Sequence, residues 1–82
     1  MKKFLDGTAW CKGNPVNYYL LTEYLENELE IYGISVEYLG EIAAVPRIAM
    51  SHRCISALLH VLRRGAVTPV AACDVIADWL LA

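Results

Sequence analysis

The sequence predicts an α+β domain in which a three-stranded antiparallel β-meander is followed by a two-helix hairpin packed on one face of the sheet. Three observations predict it. Between Asn17 and Met50 apolar residues alternate with polar or small ones, most clearly at Tyr32, Ile34, Val36 and Tyr38 with Gly33, Ser35 and Glu37 between them, the period of a half-buried strand. After Ser51 the apolar spacing lengthens to that of amphipathic helices. The 82 residues are 57% apolar and 20% charged, which excludes a disordered chain and fits one small domain.

The expected parts are an N-terminal arm over residues 1–16, the β-meander over 17–50 and the helical hairpin over 51–82. Asn17 to Leu25 reads as the first strand. A three-residue connection, Glu26, Asn27 and Glu28, would set Tyr18 opposite Val36, Leu20 opposite Ile34 and Thr22 opposite Tyr32, giving one apolar face. A two-residue turn would bring Tyr19 and Leu21 to that face instead. A helix competes for residues 15–32, because Asn14-Pro15 is a cap and first-turn pair and Tyr18, Leu21, Leu25, Leu29 and Tyr32 share one helical side. Leu39-Gly40-Glu41 reads as the next turn. Ile42 to Ala49 is the third strand, and Pro46, which cannot donate to a ladder, puts it at an edge of the sheet.

Ser51 can cap a first helix whose Cys54, Ile55, Leu58, Val61 and Leu62 fall on one stripe, with Arg63 and Arg64 in its last turn, where cations suit the macrodipole. Gly65 is the expected stop. Thr68-Pro69 opens a second helix with Ala72, Val75, Ile76, Trp79 and Leu80 as its buried stripe.

The start of the chain, Met1-Lys2-Lys3-Phe4, is basic but leads into no apolar signal segment. No stretch approaches the roughly 18–20 apolar residues of a membrane span. The three cysteines, Cys11, Cys54 and Cys73, have no paired spacing and read as free thiols in a reducing compartment. A soluble cytoplasmic protein is the expectation, with no membrane partner. The net charge of −2 hides an uneven distribution: residues 17–50 hold six glutamates against Arg47, while the flanking parts are mildly basic.

Tyr18-Tyr19, then Tyr32-Gly33-Ile34-Ser35-Val36, Ser51, Val67-Thr68-Pro69 and Asp74-Val75-Ile76 resemble the pattern of a domain-of-unknown-function family of small uncharacterised proteins from Clostridia-type Firmicutes. The resemblance spans roughly residues 17–80 and concerns structural punctuation more than chemistry. It implies no cofactor and no catalytic residue. The family pattern often has a histidine two positions after the proline, where this chain has Ala71, so a histidine role does not transfer.

No residue set reads as a catalytic, cofactor or metal site. His52 and Cys54 open the first helix, but residues two apart point about 200° from one another, and the CxxC or HxxxH spacings of a zinc site are missing. Cys54 is the one nucleophile candidate near a helix N-terminus, yet it falls on the apolar stripe, where thiols are inert; the same holds for Cys73. Glu23, Glu26, Glu28 and Glu30 cluster around the expected turn, where solvated charge discourages edge pairing. The glycines are isolated, so no phosphate loop forms. Helix, short connection, helix is also the outline of a DNA-reading motif. The presumed reading helix, however, offers Val70, Ala71, Ala72, Cys73, Asp74 and Asp78, with no Arg, Lys, Asn or Gln to reach bases. No nucleic-acid partner is expected.

The functional expectation comes from the faces of the sheet. Two helices cover one face, holding Tyr18, Leu20, Tyr32, Ile34, Val36 and Tyr38. The other face would leave Tyr19, Leu21, Leu25, Leu29, Ile31 and Leu39 uncovered unless Phe4 to Trp10 folds over it, and uncovered apolar patches usually mark partner surfaces. These six residues are the candidate interface of a non-catalytic interaction module whose simplest partner is itself, as a homodimer. The alternatives are a regulatory protein docking on a larger enzyme, and a small-ligand sensor with a pocket between sheet and helices lined by Tyr residues and Trp79.

Overall fold

The computed structural model describes residues 1–81. Four antiparallel strands, β1 (Lys2–Cys11), β2 (Asn14–Tyr24), β3 (Glu30–Tyr38) and β4 (Glu41–Ala49), run in sheet order β1-β2-β3-β4. Two helices follow, α1 (His52–Arg64) and α2 (Pro69–Leu81). Both pack on one face of the sheet, and the α+β class and the helix pair follow the sequence expectation.

The strand count is corrected from three to four, because residues 1–16 are no free arm: Lys2–Cys11 pairs along β2. Two features hid this strand. Its register shifts between Leu5 and Gly7, so a β-bulge breaks the period of two that marks a strand. Its turn, Lys12-Gly13, has both residues at positive φ (51° and 81°), the type I′ geometry that favours Asn-Gly or Asp-Gly. Leu39-Gly40 repeats that geometry between β3 and β4, at 49° and 81°.

The competition between hairpin and helix over residues 15–32 is decided for the hairpin. Tyr18 faces Val36, Leu20 faces Ile34 and Thr22 faces Tyr32, the register of the three-residue connection. Leu25 N–H donates to Leu29 O at 2.8 Å and Glu28 N–H to Leu25 O at 2.9 Å. Glu28 takes the left-handed conformation that closes the loop. At the far side β4 is an edge strand, as Pro46 requires. The partner of Ile34 is Val45 and that of Tyr32 is Ala49, so a bulge around Pro46 and Arg47 accommodates the missing N–H.

The core lies between the sheet and α1. Val16, Tyr18, Ile34 and Val36 from the sheet meet Ile55, Leu58, Leu59 and Leu62 from α1, with Ala72 and Ile76 from α2. Tyr18 is locked in place by its own hydroxyl, which donates to the Val67 carbonyl at 2.9 Å. Ser51 Oγ accepts from Cys54 N–H at 3.3 Å and caps α1, as expected.

The helix stripes are corrected in part. Cys54 and Val61 are exposed and Leu59 is buried in their stead, because the stripe is centred one residue away from where the sequence spacing put it. On α2, Leu80 is exposed while Pro69 is buried. Cys73 is also exposed, so neither helical cysteine is a core thiol. α1 stops at Gly65 as expected, and the left-handed residue that follows is Ala66. Val67 N–H donates to Leu62 O and Ala66 N–H to Arg63 O, the paired bonds of a Schellman motif.

Candidate functional site

The strand pairings fix which side chains share the face away from the helices. Thr8, Asn17, Glu37 and Ile42 make one row across it, Leu5, Tyr19, Ser35 and Ala44 the next, and Lys3, Leu21 and Gly33 a third. Trp10 stands beside Pro15 at the end nearest the type I′ turns. No helix covers these rows, and β1 extends the sheet sideways instead of folding over it.

The middle of this face is nevertheless bridged by charge. Lys3 on β1 forms an ion pair with Glu37 on β3, and its ammonium lies 4.3 Å from the Tyr19 ring centroid as it crosses β2. Arg47 on β4 reaches Glu23 on β2 with Nη2 at 2.5 Å and Nε at 3.2 Å, a two-pronged contact across β3. That crossing depends on Gly33, whose missing side chain leaves room for the Pro46-Arg47 backbone. Arg47 holds the Glu23 carboxyl below its ordinary range, chiefly through this hydrogen bond, and Glu23 in turn raises Arg47. Leu21, cross-paired with Lys3 and two residues from Glu23, is only 6% exposed.

The six residues of the expected interface are therefore dispersed. Tyr19, Leu25 and Ile31 are half-buried, Leu21 is buried, and Leu29 and Leu39 are exposed. Leu25, Leu29 and Ile31 gather near the three-residue loop, whereas Leu39 lies at the opposite end of the sheet. There Leu39 is 66% exposed, together with two residues that alternation alone did not single out, Trp10 at 68% and Ile42 at 63%. Between them Pro15, Asn17, Glu37, Tyr38, Leu39, Gly40, Glu41 and Ile42 line a shallow groove of about 330 Å³. A signal for it was present in Trp10 and Pro15 flanking Lys12-Gly13, once that dipeptide is taken as a two-residue turn.

The tyrosines serve the fold. Burial, with Cys11 adding to it, pushes the Tyr18 phenol up to about 12, and Tyr38, raised mainly by burial, donates to Cys11 O at 3.2 Å. Tyr32 meets His52 edge-to-face with ring centroids 5.5 Å apart. Trp79 packs half-buried against the core, away from the groove. Among the described residues no three His, Cys, Asp or Glu side chains gather in a group that could hold a metal ion.

The chain matches the model of a family of unknown function, DUF6514, over residues 8–82. It belongs to the DUF6514 family. The match begins at Thr8, just beyond the β1 bulge, and takes in the end of β1, the other three strands and both helices, so the DUF6514 pattern leaves out only the first part of β1. It includes Pro15, Leu39 and Ile42, which line the groove, and Trp10 beside Pro15. No curated protein and no solved structure matches this DUF6514 chain.

Proposed function

We propose that the chain is a non-catalytic protein–protein interaction module that docks a protein partner on the outer face of its sheet, a second copy of itself being the simplest partner. The supporting observation is the one-sided helix layer: both helices lie on the opposite face, leaving Trp10, Leu39 and Ile42 about two-thirds exposed at one end of the sheet, with Leu39 and Ile42 lining a groove. Large aromatic and branched side chains in contact with water are what partner surfaces gather at their centre. The groove also offers Asn17 and the carboxylates of Glu37 and Glu41 as a polar rim. No helix among the described residues is long and apolar enough to cross a membrane, and a cytoplasmic bacterial setting belongs to the same proposal.

The test is sedimentation velocity at about 100 µM, where contacts of micromolar strength are populated. The wild type is expected to contain species heavier than one 9.1 kDa chain. Trp10→Glu combined with Leu39→Glu should lose the heaviest of them while keeping the wild-type circular dichroism spectrum, since both side chains are exposed. A double variant that sediments like the wild type removes the sheet face from this role. Leu21→Glu is the wrong probe, because Leu21 is enclosed and a buried carboxylate would unfold the sheet.

A further inference from the structure

The outward sides of the two helices carry opposite charge. On α1, Arg53, Ala57, His60 and Arg64 follow one another at helical spacing, all exposed, and α1 contains no acidic residue. On α2 the only charged residues are Asp74 and Asp78, one turn apart and exposed. Among the described residues none of Arg53, Arg64, Asp74 and Asp78 takes part in an ion pair; the helix arginine that does, Arg63, is turned down to Asp6 on β1.

Two of these charges oppose their own helix. Arg53 sits in the first turn of α1, the positive end of the dipole, and Asp78 in the last turn of α2, the negative end, so each is held where it weakens the helix that bears it. The rest of α2 is apolar on every side: Val70 is 79% and Leu81 86% exposed, and Cys73 and Ala77 are exposed between them. A helix apolar all round is ordinarily enclosed.

We infer that the helix layer is a self-association surface, in which a two-fold axis lays α1 of one copy against α2 of a second copy. Such a contact is isologous, so each α1–α2 pairing occurs twice. It sets Arg53 and Arg64 against Asp74 and Asp78, and encloses the apolar side of α2 against Ala57 and Val61. Laying α1 on α1 would oppose like charges. Each helix is about 20 Å long, and two side by side present a footprint of roughly 400 Å², against about 800 Å² per partner in a standard interface. Charge pairing therefore carries much of the contact, and the dimer dissociates in salt. The sheet face stays free on both outer sides, so this contact and the proposed sheet docking stand or fall separately.

A charge-swap experiment on the full chain tests it by sedimentation at about 100 µM in low salt. The wild type, and equally the Trp10→Glu/Leu39→Glu variant that disables the sheet face, should contain a species of twice the 9.1 kDa chain mass. That species should weaken at least about tenfold in high salt. In the Trp10→Glu/Leu39→Glu background, Asp74→Lys with Asp78→Lys makes both helices basic, and Arg53→Glu with Arg64→Glu makes both acidic, so each combined variant alone should be monomeric. Mixed together they should form a one-to-one heterodimer. Replacing Arg53 and Asp78 removes charges that oppose the helix dipole, and retained circular dichroism separates lost association from lost folding. A monomeric wild type, a combined variant in the sheet-face background that still dimerises, a mixture that stays monomeric, or a dimer abolished by the sheet-face variant would each overturn the assignment.

Discussion

The Tyr18 hydroxyl donates to the Val67 carbonyl across 2.9 Å and so joins β2 to the turn between the helices, two residues 49 positions apart in the chain. Val67 is held from both sides, since its N–H already closes the Schellman turn on Leu62 O at 3.0 Å. Through its two backbone groups Val67 thus ties the end of α1 to the sheet, beside the apolar core the two layers share.

Tyr18→Phe should cost about 1–2 kcal/mol of unfolding free energy, the penalty for leaving a partly enclosed carbonyl without its donor. Urea denaturation reads it as a lower midpoint at unchanged slope. The phenol also predicts an alkaline signature. Its pKa is raised to about 12 by burial, so the unfolded chain releases this proton first, and the stability it contributes is full below pH 10 and lost as pH rises towards 12. Absorbance titration should lose its latest-ionising tyrosine component in Tyr18→Phe.

Ala66→Gly should stabilise the protein by about 0.5–1 kcal/mol. Ala66 occupies the left-handed position after α1 at φ 47°, where a Cβ is strained and glycine is not. Gly65, by contrast, has φ −85°, so Gly65→Ala should gain nothing comparable. Thermal unfolding of the two variants separates the positions, and a lower Tm for Ala66→Gly would contradict the turn geometry.

Gly33→Ala should be among the most damaging single-atom additions to the chain. Its Cβ would lie 2.5 Å from Val45 O and 2.6 Å from Pro46 Cα, and backbone cannot swing aside as a side chain can. A loss of about 2–3 kcal/mol is expected, in the upper range for overpacking. Loss of the Arg47–Glu23 contact should accompany it, visible as changed arginine side-chain resonances.

Acid should act partly through Glu23. Its carboxyl is lowered from the ordinary 4.5 by the hydrogen bond from Arg47, so the folded state binds this proton less readily than the unfolded chain. The stabilisation is present above the unfolded value and lost as pH falls through the folded one. Glu23→Gln should therefore flatten the decline of Tm between about pH 5 and pH 3, and an unchanged decline would show that the contact contributes nothing to folding.

The helix pair, the β2–β3 register and the edge position of β4 were legible because each rests on local chemistry. Ser51 caps, Pro46 cannot donate, and a three-residue loop allows one apolar face for Tyr18, Leu20 and Thr22. The candidate site was less legible. Tyr19, Leu21 and Ile31 lie on strands that carry the outer face, but whether a side chain there meets water depends on Lys3 reaching Glu37 and Arg47 reaching Glu23, contacts between residues 34 and 24 apart.

Sequence by itself determined the α+β class and the helix boundaries and offered the pairing of the central hairpin, which the structure chose over a helix, since these follow from periodicity and from what serine, proline and glycine allow in the backbone. Tertiary structure alone decided that the first eleven residues complete the sheet and that charge closes the middle of its outer face. It also decided that Trp10, Leu39 and Ile42 come together at one end. The reason is physical: a bulge erases the period of a strand, and long side chains bridge strands at distances that only the folded sheet sets.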